Sequence, residues 1–233
     1  MLHAIERNKY GRSLRKGQVH WRELFKTSED SLTSSVFGLL IYLPANLSWS
    51  ILRDSCSESS LLPKKSGDII SYEFWPHWDG QGTEQNYVEP DVFIRFENFD
   101  LIVEAKRNDE NQQDPSQWLR EYKAYLNEYD DEKRSVYLLA IGGVLEEGVY
   151  LEVDKLIVFN VKWSSLLKRI KKLEDDIFLA STMLESVSLV SMILKDLIKY
   201  FGLHGYATGE WLSEINYQKS NFEKSIIKLI GEY

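Results

Sequence analysis

Apolar side chains recur at Leu32, Val36, Leu39, Leu40 and Leu43, a stripe at helical spacing that Pro44 stops. Residues 45–67, rich in Ser with Pro63 and Gly67, predict a loop with a short helix at about residues 49–53. Residues 68–75 predict a strand, and residues 76–88, carrying Pro76, Gly80 and Gly82, a loop. Two short apolar runs follow, at 92–96 and 99–103, with Glu97-Asn98 between them as a turn, so an antiparallel hairpin is expected. Asp114-Pro115-Ser116-Gln117 has the signature of a helix start: Asp as N-cap, Pro at the first helical position and Gln three residues after the cap. The helix should run from 115 to about 129, with Trp118, Tyr122, Tyr125 and Tyr129 on one face. Strands are predicted at 136–141, where Gly142-Gly143 stop the run, and at 156–159. Beyond residue 162 the period turns helical, first at Leu166, Leu167, Ile170 and Leu173, then at Met183, Val187, Val190, Leu194, Leu197 and Phe201. Gly202 and Gly205 break this seam, and residues 212–230 form a last amphipathic segment. The order of helix, three strands, helix, strand, then helices predicts an α/β fold.

Composition bounds the picture without changing it. The chain has 233 residues, 43% hydrophobic and 27% charged, enough for one well-cored domain with an appendage. The expected division is a basic segment at 1–26, a core at 27–162 and a C-terminal helical region at 163–233 packed on that core. Net charge is −8, yet residues 1–26 carry +5. Arg12, Arg15 and Lys16 in this segment are candidates for local phosphate contacts, against the plainer reading of a solvated terminus. Lys162, Lys168, Arg169, Lys171 and Lys172 form a second basic cluster that reads as the solvent face of a helix. The seam at 183–201 either completes the core or meets a second copy, as a homodimer, or a partner protein. Its six positions are too few to demand a coiled coil. Cys56 is the single cysteine, which excludes an internal disulfide and a cysteine zinc cage and fits a reducing compartment. The basic N-terminus holds no apolar signal region. The longest apolar stretch, 177–201, is interrupted by Glu185, Lys195 and Asp196, so no membrane span and a cytoplasmic location are expected. No histidine pair has zinc-ligand spacing, and neither a phosphate-binding loop nor a nucleophile-elbow motif is present. His77 lies in Phe-Trp-Pro-His-Trp-Asp, where aromatics can stack on bases but more often pack a loop onto a sheet.

The chemistry concentrates in the hairpin. Successive strand residues point to opposite faces, so Glu104 and Lys106 share a face and Ala105 takes the other. Antiparallel pairing brings Asp91 level with them. Two carboxylates and an ammonium then converge at the end of a strand whose Leu101, Ile102 and Val103 look buried. Charges so near a core call for a partner or a function.

Pro90-Asp91, twelve residues, then Glu104-Ala105-Lys106 resembles the motif of the PD-(D/E)XK nuclease superfamily, the fold of many restriction endonucleases. The resemblance covers roughly residues 27–160. It implies a restriction-endonuclease-like αβββαβ core with a mixed central sheet flanked by helices. It further implies a nuclease that depends on Mg²⁺, with Mn²⁺ as substitute, and hydrolyses phosphodiester bonds, with DNA as the expected substrate, in defence, restriction or a mobile element. Asp91, Glu104 and the carbonyl of Ala105 would hold the metal. Lys106 would orient and help deprotonate the attacking water and stabilise charge on the phosphate. Gln117, on the helix after the Glu-x-Lys strand, and Glu29, on the helix opened by Thr27-Ser28-Glu29-Asp30, would join them; Glu23, Glu73 and Glu89 compete with Glu29. The alternative is a catalytically silent nucleic-acid or protein-binding module on the same fold, against which the intact Asp, Glu and Lys argue.

Overall fold

The computed structural model describes residues 28–108, 110–129, 132–153, 156–180 and 186–209. The chain opens with α1 (Glu29–Leu40), where Ser28 caps the helix by accepting from Ser31 N at 3.2 Å. Next is α2 (Ala45–Ser55). It is longer than the short helix expected, because its serines do not break it. Ser50 and Ser55 donate to the carbonyls of Leu47 and Ile51, and the helix buries Trp49, Ile51, Leu52 and Ser55 itself. A 3-10 turn (Ser59–Leu61) leads to β1 (Ile69–Phe74).

The predicted loop at 76–88 contains a small hairpin, β2 (Trp78–Asp79) with β3 (Tyr87–Val88). Two-residue strands carry no readable alternation. This pair is held from outside, by packing of Trp78 and Val88 under the helix that follows the main hairpin. That hairpin is β4 (Val92–Phe96) with β5 (Asp100–Ala105). Then come α3 (Pro115–Tyr129), β6 (Val136–Ile141), β7 (Gly148–Val153), β8 (Leu156–Val161), α4 (Trp163–Ala180) and α5 (Ser186–Leu203). The pattern gave no sign of β7. It is an edge strand whose pairing with β8 shifts register between Tyr150 and Glu152, which blurs its period.

The architecture is α/β: a mixed six-stranded sheet in the order β1-β4-β5-β6-β8-β7, flanked by helices. β4 is antiparallel to β1 and β5, β5–β6 and β6–β8 are parallel, and β7 is antiparallel to β8. One face carries Val92, Ile94, Leu101 and Val103 and packs against α1, α2, α4 and α5. The other carries Phe93, Ile102, Leu138 and Val158 and packs against α3 and the small hairpin. Leu194, Leu197 and Phe201 of the C-terminal seam are fully buried in the first core, so those positions serve the chain's own packing. Met183 and residues 212–230 lie outside the described residues. Among the described residues no helix is long and apolar enough to cross a membrane.

Gly142 and Gly143 end β6 with φ of +69° and +65°, a region that favours glycine. A Cβ on Gly142 would strike the Lys106 carbonyl oxygen and lie 2.6 Å from the Trp163 ring. Gly142→Ala should therefore cost about 2–4 kcal/mol in a urea melt. An unchanged midpoint would refute this account of the turn.

Candidate active site

The register of the hairpin decides what meets. Val92 pairs with Val103, so Asp91 lies level with Glu104 across the two strands. Asp91 is 9% exposed and Glu104 2%. Asp91 Oδ2 accepts from the backbone N–H of Ala105 at 2.7 Å, and its Oδ1 accepts from Trp75 Nε1 at 3.2 Å. Lys106 Nζ donates to Glu104 Oε1. Glu29, set by the capped start of α1, has Oε1 4.0 Å from Lys106 Nζ and Oε2 2.7 Å from the Arg107 N–H that it accepts. The structure thus brings together Asp91, Glu104, Lys106 and Glu29. Of the competitors, Glu73 is exposed on β1 and Glu89 lies 3.3 Å from His77. Glu23 lies outside the described residues, as do Arg12, Arg15 and Lys16. Ala105 presents its N–H to Asp91.

Two residues on or near α3 change the expected set. Gln113, before the helix, donates from Nε2 to the carbonyls of Glu104 and Gly142 at 3.2 and 3.1 Å, while its Oε1 accepts from Trp118 Nε1 at 2.9 Å. It clamps the end of β5 to the end of β6. Gln117, the candidate from the sequence, lies beside Glu121 and partly offsets the rise that burial causes in its carboxyl. Glu121 sits one helical turn on from Gln117 and is fully buried, with neither carboxyl oxygen in hydrogen-bond geometry with a partner. The signal was in the sequence: Glu121 falls between Trp118, Tyr122 and Tyr125 on the buried face of α3, where a carboxylate is out of place.

Charge is unbalanced here. Burial is the main cause that raises Glu121 well above the ordinary carboxylate range, and Glu104 and Asp91 add to it. Burial and Glu104 push Asp91 up to about 7. Burial raises Glu29 too, with Lys106 opposing. For Lys106, burial pulls down, but Glu104, Glu29 and Asp91 together outweigh it and hold the ammonium above its ordinary value.

Asp100 makes the contrast. It lies on the same face of β5, fully buried, at the other end. Arg95 and Arg134 pair with it at 3.2 and 3.0 Å, and Tyr125 donates to it at 2.9 Å. A buried carboxylate that is only structural is surrounded by donors in this way. The opposite end of the strand has three buried carboxyl groups, Asp91, Glu104 and Glu121, and one ammonium.

Among the described residues no three His, Cys, Asp or Glu side chains form a ready-made metal cage, and the cation that Glu104 holds is Lys106. Comparison with family models, with curated proteins and with solved structures gave no match.

Proposed function

We propose that this chain is a divalent-metal-dependent nuclease of the PD-(D/E)XK type, with a restriction-endonuclease-like core and DNA as its expected substrate. The observation that carries the reading is the surplus of buried carboxyl groups at one end of β5, set against the fully paired Asp100 at the other.

The residues fit a divalent cation on that ground. Asp91 and Glu104 are buried and level across the strand pair, Lys106 is the cation on Glu104, and the buried Glu121 lies beside them. Asp91, Glu104 and the carbonyl of Ala105 would hold the ion. When bound, it would supply positive charge against the scissile phosphate and its attacking water. The chain's own residues do the rest. Lys106, held as an ammonium, offers donors that orient the water and stabilise charge gathering on the phosphate. Glu29 holds the Arg107 N–H and steadies the strand end beside Lys106. Gln113 fixes the β5–β6 junction, and Trp163 Nε1 donates to the Lys106 carbonyl at 2.7 Å. The Lys106 side chain is thus presented from a backbone tied on both sides.

Titration with Mn²⁺ tests the metal half of the proposal. The wild type should bind the ion and melt higher by mass action, on the order of 3 kcal/mol more stable at a hundredfold excess over Kd. Asp91→Asn should lose most of both effects. An equal Mn²⁺ response in wild type and variant would remove Asp91 from the metal site.

A further inference from the structure

The aromatic run Phe74-Trp75-Pro76-His77-Trp78 splits in two. Trp78 is 3% exposed and packs against Phe93, Tyr125 and Tyr129. Trp75 and His77 do not join it. Trp75 is 39% exposed and has φ of +49°, where a bulky side chain is an outlier. Its backbone N–H donates to the Asp91 carbonyl at 3.1 Å and its indole to Asp91 Oδ1 at 3.2 Å. The backbone therefore takes an unfavourable conformation that leaves the indole, tilted against the Phe74 ring at 5.7 Å, part-exposed at the edge of Asp91. Such outliers persist where the surroundings hold them, and they gather at functional sites.

A second open aromatic surface lies beside it. The His77 and Tyr87 rings stack at 4.0 Å with 24° between their planes, and the His77 side chain is 63% exposed. His77 Nδ1 lies 3.3 Å from Glu89 Oε1, two residues before Asp91. Glu84, Gln85, Asn86, Tyr87 and Glu89 line an open hollow there. These are acceptors and amides with no cation among them, a surface suited to base edges and unsuited to phosphate oxygens.

We propose that Trp75 and the His77–Tyr87 stack are landing platforms for unpaired nucleobases flanking the phosphate at Asp91, so that the preferred substrate is a single strand. This rests on the nuclease reading for the position of the phosphate. Bases in a duplex keep their faces stacked on one another, whereas every unpaired base offers a face to an aromatic side chain.

The test is anisotropy of a dye-labelled oligothymidylate and of a duplex of equal length, on Lys106→Ala protein in Mg²⁺, with cleavage of the same strand by wild type followed separately. The single strand should bind more tightly. Trp75→Gly and the pair His77→Ala with Tyr87→Ala should each weaken it by roughly five- to a hundredfold, as lost base stacking does. Trp75→Phe and Tyr87→Phe should restore most of the affinity. Trp75→Gly should melt within a few degrees of its parent, because glycine suits the positive φ. Undiminished binding in the deletion variants, tighter binding of duplex, no binding of either, or a collapse in melting temperature for Trp75→Gly would overturn the platform. Cleavage by wild type with any of those results would leave the nuclease standing alone. Weakened binding in the variants with no cleavage by wild type would keep the platform and remove the nuclease.

Discussion

Lys106→Ala should lower the rate of phosphodiester cleavage at least a hundredfold, the range that a positioned proton-transfer or charge-stabilising group supplies. The fold should survive. Lys106 is partly solvent-facing, and its main-chain ties to Ile141 and Trp163 do not involve the side chain. Removing the ammonium leaves Glu104 facing Asp91 and Glu121 without its cation, so the metal-free variant should melt lower. Added Mg²⁺ should recover part of that loss while the rate stays low. Single-turnover cleavage with saturating metal separates the two effects. A variant that cleaves at the wild-type rate would show that Lys106 only balances Glu104.

The metal-free protein should be more stable at pH 5 than at pH 8. Asp91 rises from an ordinary 3.8 to about 7 in the fold, and Glu121 is raised as well, chiefly by burial. Between the unfolded and folded values the folded state binds more protons, so stability falls as pH rises through that window. At about 1.4 kcal/mol per pKa unit, Asp91 alone accounts for up to about 4 kcal/mol between roughly pH 4 and 7. Glu121→Gln and Asp91→Asn should each flatten the profile and raise stability at pH 8 in chelator. Urea melts at the two pH values measure this. Stability that climbs from pH 5 to 8 in the metal-free wild type would mean that these carboxyl groups are better compensated than their surroundings imply.

Much of this site could be read before the fold was known, and the reasons are local. The β4–β5 hairpin joins two short apolar runs through the two-residue turn Glu97-Asn98, and closing that turn sets the register that aligns Asp91 with Glu104. The start of α3 was legible because Asp114 caps it, accepting from Ser116 N at 2.9 Å ahead of Pro115. The part played by Gln113 was not. It depends on how β5 and β6 end side by side, a contact between residues that the whole of α3 separates. Glu121 is legible only from its place on the Trp118–Tyr122–Tyr125 face of α3, and the packing of that face against the sheet is what seals it in. The β2–β3 hairpin and β7 were hidden for a related reason: they exist by packing or by edge pairing, and their own residues carry no period.

Whether this strand end cuts nucleic acid is the central question. Plasmid, single-stranded DNA and RNA should be incubated with wild type in Mg²⁺ or Mn²⁺ and in chelator, beside Lys106→Ala. Cleavage of at least one substrate in metal is expected, single-stranded DNA first, with none in chelator and at most a residue in the variant. No cleavage of any substrate in either metal, or cleavage that neither chelator nor Lys106→Ala reduces, would contradict the nuclease reading.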